Sequence, residues 1–288
     1  MRFLTAESVA QATAALAAEA GLARVLGGGT DLLVQLRAGM IEPALVVDIK
    51  RIPGMAEITA TPEGGFRIGA AVAGARLAED AALCAAWPGV AEAFALIGST
   101  QIQGRCTMAG NICNASPAGD SVPALVAAGA RARIEGPAGA REVEVIEIAA
   151  GPGRTTLGKG EIVTAILLPP RGARAGDAYL RFTPRSEMDI AVASAGVSLT
   201  LGPDGRIAAA RVALGAVGPK VVLCEGAAAA LIGTRADEGA LAEVAAAATA
   251  AARPIDDKRG TIAFRKATVG VLARRAAAIA LARAEGKA

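Results

Sequence analysis

The sequence predicts an α+β protein with two domains. Its 288 residues are enough for two domains of ordinary size. Strand and helix patterns are mixed through residues 1–172, whereas residues 177–286 show three strands followed by three helices. The stretch Pro169–Asp177, which opens with two prolines, is the predicted linker. We therefore expect a first domain over residues 1–172, with subdomains of about 1–55 and 56–172, and a second over residues 177–286.

The first subdomain is predicted as a small unit of helices and strands. Residues 6–19 form the predicted first helix, with Thr5 as its N-cap. Val9, Ala12 and Leu16 recur there at helical spacing. A β-turn-α-β unit follows, with a strand at 22–26, a short helix at 32–37 and a buried strand at 44–49.

The remaining elements are predicted from turn residues and apolar runs. Residues 62–65, Pro-Glu-Gly-Gly, supply the turn of a hairpin between two short strands. Pro169 ends the strand that begins at Ile162. The predicted strands are 58–61, 66–70, 130–135, 162–168, 178–183, 190–201 and 206–214, and the predicted helices lie within 75–98 and at 122–128, 225–232, 238–252 and 261–284.

Composition excludes several classes of partner. The net charge of +3 comes from 30 basic and 27 acidic residues that are spread evenly, so no field of one sign is available to hold nucleic acid. No apolar run approaches the ~18–20 residues that span a bilayer. Because the N-terminus also lacks the apolar core of a secretion signal, we expect a cytoplasmic protein without a membrane span.

The chain contains no histidine, and its four cysteines form no Cys-x-x-Cys pair. This pattern argues against zinc or iron-sulfur ligation within the chain. The absence of histidine also removes the Ser-His-Asp and Cys-His triads. We therefore expect no catalytic side chain and no metal ligand, and chemistry that comes from a cofactor.

Three consecutive glycines stand where a predicted strand turns into a short helix. Without a Cβ atom, backbone N–H groups can approach a phosphate closely. The spacing matches neither a Walker motif nor a Rossmann fingerprint, and taken alone such glycines are more often only a tight turn. We name this segment the glycine turn; it consists of Val25, Leu26, Gly27, Gly28, Gly29, Thr30, Asp31 and Leu32.

A second segment is polar in a chain that is 53% hydrophobic. We name residues 107–120 the polar segment. Thr107, Asn111 and Ser116 offer hydrogen bonds to phosphate or ribitol oxygens, and Asp120 can accept one from a ribose hydroxyl or a ring N–H. Taken alone, an ordinary loop fits equally well, because Asp120 is also a good N-cap for the next helix.

Four motifs in this order resemble the FAD-binding medium subunits of molybdenum hydroxylases, the family of xanthine dehydrogenase and carbon monoxide dehydrogenase. The glycine turn and the polar segment are similar to the paired FAD-binding loops of that family. Tyr179–Ala191 is similar to the segment that opens its C-terminal domain, and Asp257–Arg265 to its closing signature. The resemblance covers nearly the whole chain.

The resemblance implies an FAD-binding domain of the type also found in vanillyl-alcohol oxidase and MurB, followed by a small α+β domain whose strands pack on helices. FAD is expected to be non-covalent because a histidyl link needs an imidazole. Attachment through Cys106 or Cys113 stays open beside the simpler role of small buried residues. By position, the glycine turn holds the pyrophosphate, and the other implied cofactor-binding residues are Ile97, Thr107, Ala109, Gly110, Asn111, Ser116, Asp120, Ile162, Val163 and Arg181.

Three of these positions carry specific expectations. Ala109 stands where the family usually has glycine, so its methyl group is expected to tighten or shift the phosphate contact. Ile97 stands where some relatives place an aromatic residue beside the flavin, so stacking from that position is lost. Arg181 falls where the family often has a basic residue near the pyrimidine edge of the flavin, and an ordinary surface ion pair is the alternative.

For function, the resemblance implies one subunit of a larger enzyme, assembled as a dimer of heterotrimers. A large partner carries molybdopterin and a small partner carries two [2Fe-2S] clusters. The FAD of this chain passes their electrons to NAD, quinone or oxygen. Two alternatives stay open: a stand-alone FAD-dependent NAD(P)H oxidoreductase, and a flavin-free scaffold subunit, which Ala109 and Ile97 motivate.

Overall fold

The computed structural model describes residues 1–287 and confirms the α+β class. Three main sheets follow one another along the chain, and helices pack against them. Over residues 1–287, no helix combines the length and the apolar character that a membrane crossing needs.

The chain opens with a three-stranded parallel sheet in which β3 is the central strand. Leu26 pairs with Asp48, so β2 and β3 end side by side at the same edge of the sheet. The glycine turn begins at that edge. The elements are β1 (Arg2–Thr5), α1 (Val9–Ala18), β2 (Ala23–Leu26), α2 (Leu32–Arg37) and β3 (Leu45–Asp48).

Strand β1 is absent from the sequence-based prediction, and it corrects the expected N-cap. Thr5 is the last residue of β1 and pairs with Asp48, so its backbone is part of the sheet. Ser8 caps α1 instead, because its hydroxyl accepts a hydrogen bond from the Gln11 N–H at 3.1 Å.

A five-stranded antiparallel sheet follows, with the order β4-β5-β10-β6-β7. The predicted hairpin is confirmed as β4 and β5, and the buried strand β10 lies at the centre of the sheet. The strands are β4 (Ile58–Ala60), β5 (Phe66–Gly69), β6 (Arg131–Gly136), β7 (Gly139–Glu144) and β10 (Ile162–Leu168), and a small hairpin consists of β8 (Ala149–Gly151) and β9 (Arg154–Thr155).

Short helices connect β5 to β6, and a 3₁₀ turn at Val145–Glu147 follows β7. One of the helices, α7, lies inside the polar segment, which the sequence predicts as a turn-rich loop. These helices are α3 (Gly74–Glu79), α4 (Ala81–Ala86), α5 (Pro88–Ala95), α6 (Thr100–Gln103), α7 (Met108–Cys113) and α8 (Ser121–Ala127).

The second half of the chain folds as an antiparallel sheet of four strands, in the order β11-β12-β13-β14, followed by three helices. The long helix α11 packs against β11 and β12. At Gly176 a Cβ atom would lie 1.9 Å from the Ala280 carbonyl oxygen, so this contact requires glycine. The elements are β11 (Ala175–Phe182), β12 (Ala193–Leu201), β13 (Ile207–Gly215), β14 (Val222–Leu223), α9 (Glu225–Leu231), α10 (Glu238–Ala251) and α11 (Ile262–Ala284).

Two predicted bounds are corrected here. Ala175 to Asp177 already belong to β11, because they pair with Thr200 to Ser198, so the predicted linker through Asp177 is too long. Strand β12 begins at Ala193 and not at 190. The preceding loop is closed by the Val192 N–H, which donates to the Phe182 carbonyl oxygen at 2.9 Å.

The two halves of the chain pack closely against each other. Helix α8 contacts β12 and β13, and α5 contacts β11. Glycines permit this approach: a Cβ atom at Gly196 would lie 2.6 Å from the Pro123 oxygen, and one at Gly89 would lie 2.7 Å from the Ala178 nitrogen. Tyr179 is buried in the core of the first half. The position of the domain boundary, between residues 172 and 177, stays a prediction.

Candidate cofactor-binding site

A cavity of about 740 Å³ lies between the glycine turn, the polar segment and the segment 153–161, which contains β9 and the loop after it. This volume is in the range of ~300–1,000 Å³ that is usual for small-molecule sites. The structure brings many of the predicted site residues together on its wall, namely Val25, Gly27, Gly28, Gly29, Thr30, Asp31, Leu32, Ile97, Thr107, Gly110 and Asn111.

The glycine turn has no room for side chains at its centre. A Cβ atom at Gly28 would lie 1.9 Å from the Arg105 carbonyl oxygen, far inside contact distance. Gly29 has φ +82°, a conformation that L side chains rarely adopt. Both glycines are therefore required by the shape of the turn, which rests directly on the backbone that leads into the polar segment.

The backbone N–H groups of the glycine turn are available to a ligand. Those of Gly28, Gly29 and Thr30 donate to no acceptor within residues 1–287, and all three residues line the cavity. Successive free N–H groups at a strand-to-helix turn bind anions well. The site therefore fits a phosphate-bearing ligand, and its volume leaves space for a long one.

Lys50 fixes the glycine turn from the neighbouring strand end, and the sequence reasoning missed it. Its Nζ donates to the Gly27 carbonyl oxygen at 3.2 Å and lies 2.7 Å from Asp48 Oδ1. The signal was present in the sequence, because two consecutive parallel strands end at one sheet edge. A residue just after the second strand is therefore close to the turn after the first.

Thr107 joins the polar segment to the glycine turn. It caps α7, since its Oγ1 accepts a hydrogen bond from the Gly110 N–H at 3.0 Å. The same oxygen would be 3.3 Å from a Cβ atom at Gly27, so the two segments touch at this point. The hydroxyl hydrogen of Thr107 remains free to donate into the cavity.

Asn111 holds the start of α8 and still presents a donor. Its Oδ1 accepts hydrogen bonds from Ser121 Oγ at 2.7 Å and from the Ser121 N–H at 3.3 Å. Because the backbone N–H can only donate, the oxygen of the amide must face Ser121. The amide NH₂ group is then left for the cavity that Asn111 lines.

Asp120 does not line the cavity. It stands at the N-cap position of α8, but its side chain makes no capping hydrogen bond, so the alternative of a side-chain cap is wrong. Its carboxylate instead accepts hydrogen bonds from the Tyr179 hydroxyl at 2.9 Å and from Arg181 Nη1 at 2.7 Å. These partners lie on β11. Burial raises the pKa of Asp120 to about 6, although Arg181 and Tyr179 act in the opposite direction.

Arg181 forms an ion pair, but a buried one. Its side chain is 6% exposed, which corrects the alternative of a surface pair. Tyr179 is 2% exposed, and burial raises the pKa of its hydroxyl well above the usual value. We name Asp120, Tyr179 and Arg181 the Asp120 cluster; it connects the polar segment to the second half of the chain.

The remaining predicted residues also lie off the cavity wall. Ala109 is 6% exposed, so its methyl group is packed inside the protein. Ser116 Oγ accepts a hydrogen bond from the Ala118 N–H at 3.3 Å. Ile162 and Val163 are buried in β10. Leu26 ends β2 without lining the cavity. Their contacts with a cofactor stay predictions.

Two cysteines, Cys106 and Cys113, line the cavity. Burial raises the pKa of Cys106 to about 11 and that of Cys113 to about 12. Both side chains are therefore protonated thiols near neutral pH, the form that does not act as a nucleophile. Among residues 1–287, no group of three or more acidic, cysteine or histidine side chains could hold a metal ion.

Comparisons with known proteins agree with this geometry. Residues 1–171 match the family model of the FAD binding domain in molybdopterin dehydrogenase, and residues 178–280 match that of the CO dehydrogenase flavoprotein C-terminal domain. The carbon monoxide dehydrogenase medium chain of Afipia carboxidovorans is 34% identical over 281 residues, which cover 97% of this chain and 96% of the relative. The xanthine dehydrogenase FAD-binding subunit of Escherichia coli O157:H7 is 31% identical over 204 residues, 70% of each.

Solved structures show the same likeness over the full length. A chain of reconstituted CO dehydrogenase from Oligotropha carboxidovorans superposes with a TM-score of 0.93 at 31% identity, and 98% of each chain is covered. A chain of quinoline 2-oxidoreductase from Pseudomonas putida 86 gives a TM-score of 0.90 at 25% identity. With both family domains present in order, the chain belongs to the FAD-binding subunits of the molybdenum hydroxylase family, which includes CO dehydrogenase and xanthine dehydrogenase.

Proposed function

We propose that this chain holds FAD non-covalently within a complex that also contains a large molybdopterin subunit and a small [2Fe-2S] subunit. The observation that carries the proposal is the glycine turn, whose free N–H groups line a cavity next to Thr107 and Asn111. The names of the relatives, medium chain and FAD-binding subunit, describe one part of an enzyme with several chains. Assembly as a dimer of heterotrimers belongs to the same proposal.

The residues of this chain bind and orient the cofactor. N–H groups of Gly28, Gly29 and Thr30 donate to the diphosphate, which needs no side-chain charge at the turn itself. The Thr107 hydroxyl and the Asn111 amide donate from the neighbouring polar segment. When bound, FAD would supply the redox chemistry, with electrons that come from a partner subunit and go to NAD, quinone or oxygen.

The two thiols that line the cavity are not placed to act as bases at neutral pH. The two thiols are protonated because burial raises their pKa values. Glu161 stays ionised, since hydrogen bonds from Arg141 lower its pKa to about 2. The contribution that we assign to the chain is to bind and orient the cofactor, which would supply the redox chemistry when bound.

The visible absorption spectrum of the chain, purified together with its neighbouring subunits, tests the proposal. We expect flavin bands, and we expect acid precipitation to release the flavin into the supernatant, as a non-covalent cofactor requires. Flavin that stays with the acid-precipitated protein would show a covalent link. A colourless complex that takes up no added FAD would favour the flavin-free scaffold.

A second measurement separates the subunit from a stand-alone enzyme. The flavin of the complex is expected to be reduced under anaerobic conditions by a substrate of the large subunit, whereas the isolated chain with FAD is expected to leave that substrate unchanged. Steady-state oxidation of NAD(P)H by the isolated chain, at the rate of the complex, would favour the stand-alone oxidoreductase. Mass measurement of the purified complex tests the dimer of heterotrimers.

A further inference from the structure

The end of β3 holds Lys50 rigidly beside the glycine turn. The Lys50 N–H donates to Asp48 Oδ1 at 3.0 Å, and the Lys50 ammonium lies 2.7 Å from the same oxygen. The Ile49 N–H donates to the Leu26 carbonyl oxygen at 3.2 Å, which continues the pairing of β2 and β3 to this point. The backbone and the ammonium group of Lys50 are therefore both held in place by the protein itself.

The second partner of the ammonium determines which way one peptide of the glycine turn points. Lys50 Nζ donates to the Gly27 carbonyl oxygen at 3.2 Å. The peptide bond between Gly27 and Gly28 is planar and trans, so its C=O and its N–H point in opposite directions. Both glycines line the cavity, whereas Lys50 does not. A carbonyl that points to Lys50 therefore directs the Gly28 N–H towards the cavity, where it has no acceptor within residues 1–287.

The glycines alone do not secure this orientation. A peptide between two glycines can turn over at low cost, because neither residue has a Cβ atom that restricts its backbone dihedrals. The reversed peptide would present its oxygen to an anion in the cavity, where binding needs an N–H group. A cation at the Gly27 carbonyl oxygen favours the observed orientation. It also polarises the peptide, so that the Gly28 N–H becomes a stronger donor.

We propose that Lys50 is a positioning residue, which acts through the Gly27 carbonyl oxygen to keep the Gly28 N–H directed at the diphosphate of the cofactor. This inference rests on the proposed function, because it concerns the same turn. The role needs no contact between Lys50 and the ligand. It also differs from attraction by charge, because Lys50 and Asp48 form an ion pair whose net charge is zero.

The test measures flavin affinity and separates position from charge. Flavin-depleted full-length chain is titrated with FAD and with riboflavin, which has no phosphate, and the quenching of flavin fluorescence gives each Kd. Lys50→Met keeps much of the apolar stem and removes the ammonium. The double variant Lys50→Met with Asp48→Asn also removes the carboxylate, so its net charge equals that of the wild type.

Two further variants serve as comparisons. Lys50→Arg keeps a charged donor at the same position. Lys220→Met is the matched control, because Lys220 is exposed and does not line the cavity.

Lys50→Met is expected to raise the Kd for FAD by about 10-fold, because the Gly28 N–H then faces the cavity for only part of the time. The double variant should also bind FAD about 5- to 10-fold more weakly than the wild type, since it too lacks the donor to Gly27. Lys50→Arg should stay within about threefold of the wild type, and Lys220→Met within about twofold. The Kd for riboflavin should change by less than about twofold in every variant, because riboflavin has no phosphate for the turn to hold.

Three results overturn the inference alone, given a wild type that binds FAD. The first is an unchanged Kd for FAD in Lys50→Met. The second is a double variant that binds FAD as tightly as the wild type, which would show an effect of charge. The third is a loss of affinity by the same factor for FAD and riboflavin, which would show general damage to the cavity.

A wild type that binds no flavin, alone or with its partner subunits, overturns the proposed function as well. Thermal unfolding followed by the fluorescence of Trp87, the single tryptophan, shows which variants are folded. If Lys50→Met does not fold, the double variant decides, because it leaves no carboxylate without its partner.

Discussion

The glycine turn and two members of the Asp120 cluster, Asp120 and Arg181, are predicted from the sequence as contacts to the cofactor, but the turn and the cluster lie in opposite environments. The glycine turn lines the cavity, and three of its N–H groups have no acceptor within residues 1–287. The Asp120 cluster is buried away from the cavity wall, and its charges and hydroxyl are already paired with one another.

This difference separates groups that are prepared for a ligand from groups that hold the protein together. An unpaired donor on a cavity wall gains a partner when an anion binds, so it contributes to affinity. A buried carboxylate that already accepts hydrogen bonds from Arg181 and Tyr179 would have to give them up. We therefore expect substitutions in the glycine turn to change flavin binding, and substitutions in the Asp120 cluster to change stability.

The largest effect is expected from Gly28→Val. Its side chain would start 1.9 Å from the Arg105 carbonyl oxygen, so the turn must move away from the polar segment. We expect the Kd for FAD to rise by more than about 100-fold, because the free N–H groups lose their arrangement. Fluorescence titration with FAD measures this change.

Gly172→Val is the matched control for that variant. A Cβ atom at Gly172 meets no atom within 4 Å, and its φ is not positive. Its affinity for FAD should equal that of the wild type. If Gly28→Val folds and binds FAD with an unchanged Kd, the glycine turn does not form the phosphate site.

Removing the cation of the Asp120 cluster should have the next largest effect. Arg181→Met leaves a buried carboxylate without its ion-pair partner, which typically costs about 3–5 kcal/mol. We expect the free energy of unfolding to fall by about 3 kcal/mol at pH 8. The loss should be smaller at pH 5, because Asp120, with a pKa of about 6, can accept a proton at that pH. Urea unfolding at the two pH values gives the comparison. Equal losses of stability at pH 8 and pH 5 would contradict a pKa of about 6 for Asp120 in the folded protein.

The wild type should also show a pH dependence that comes from Asp120. Its pKa of about 6 in the folded protein is above its ordinary value of 3.8, so the folded state binds a proton more readily than the unfolded state. The stability that this group contributes is therefore full below about pH 4 and is lost as the pH rises through 6.

Asp120→Asn tests this dependence, because an amide does not titrate. From pH 4 to pH 7 the free energy of unfolding of the wild type should fall, relative to the variant, by on the order of 2–3 kcal/mol. Urea midpoints across this range, with phosphate and acetate buffers overlapping at one pH, measure it. A constant difference between the two proteins would show that Asp120 has an ordinary pKa in the fold.

The sequence predicts the class, most strands and helices, and the part of the site that is local in the chain. The glycine turn is such a part, since three adjacent glycines determine it. Strand β1 is missed because it is short and half exposed, so its residues carry no clear periodicity. The cavity-lining residues within 153–161 are missed because they carry no motif. Their place depends on contacts that are distant in the chain, namely Gly160 against Ala17 of α1 and the Gly153 N–H, which donates to the Ala115 carbonyl oxygen.

The same limit applies to the Asp120 cluster. Asp120 and Tyr179 are 59 residues apart in the chain, and nothing local indicates that one will satisfy the other. The sequence predicts that Asp120 accepts a hydrogen bond, from a ligand or from the start of the next helix. It cannot decide between a ligand and another part of the protein, since that choice depends on how β11 packs against α8.

The smallest effect is expected from Tyr179→Phe, which removes one hydroxyl from the cluster. The 2.9 Å hydrogen bond to Asp120 Oδ1 is lost while the ring remains buried, so the cost in the free energy of unfolding should be about 1 kcal/mol. The loss should be larger at pH 8 than at pH 5, because this bond stabilises the ionised carboxylate and its removal raises the pKa of Asp120 further. The Kd for FAD should stay within about twofold of the wild type. A large loss of FAD affinity with unchanged stability would contradict this interpretation. It would show that the Asp120 cluster contributes to cofactor binding and not to the contact between the two halves of the chain.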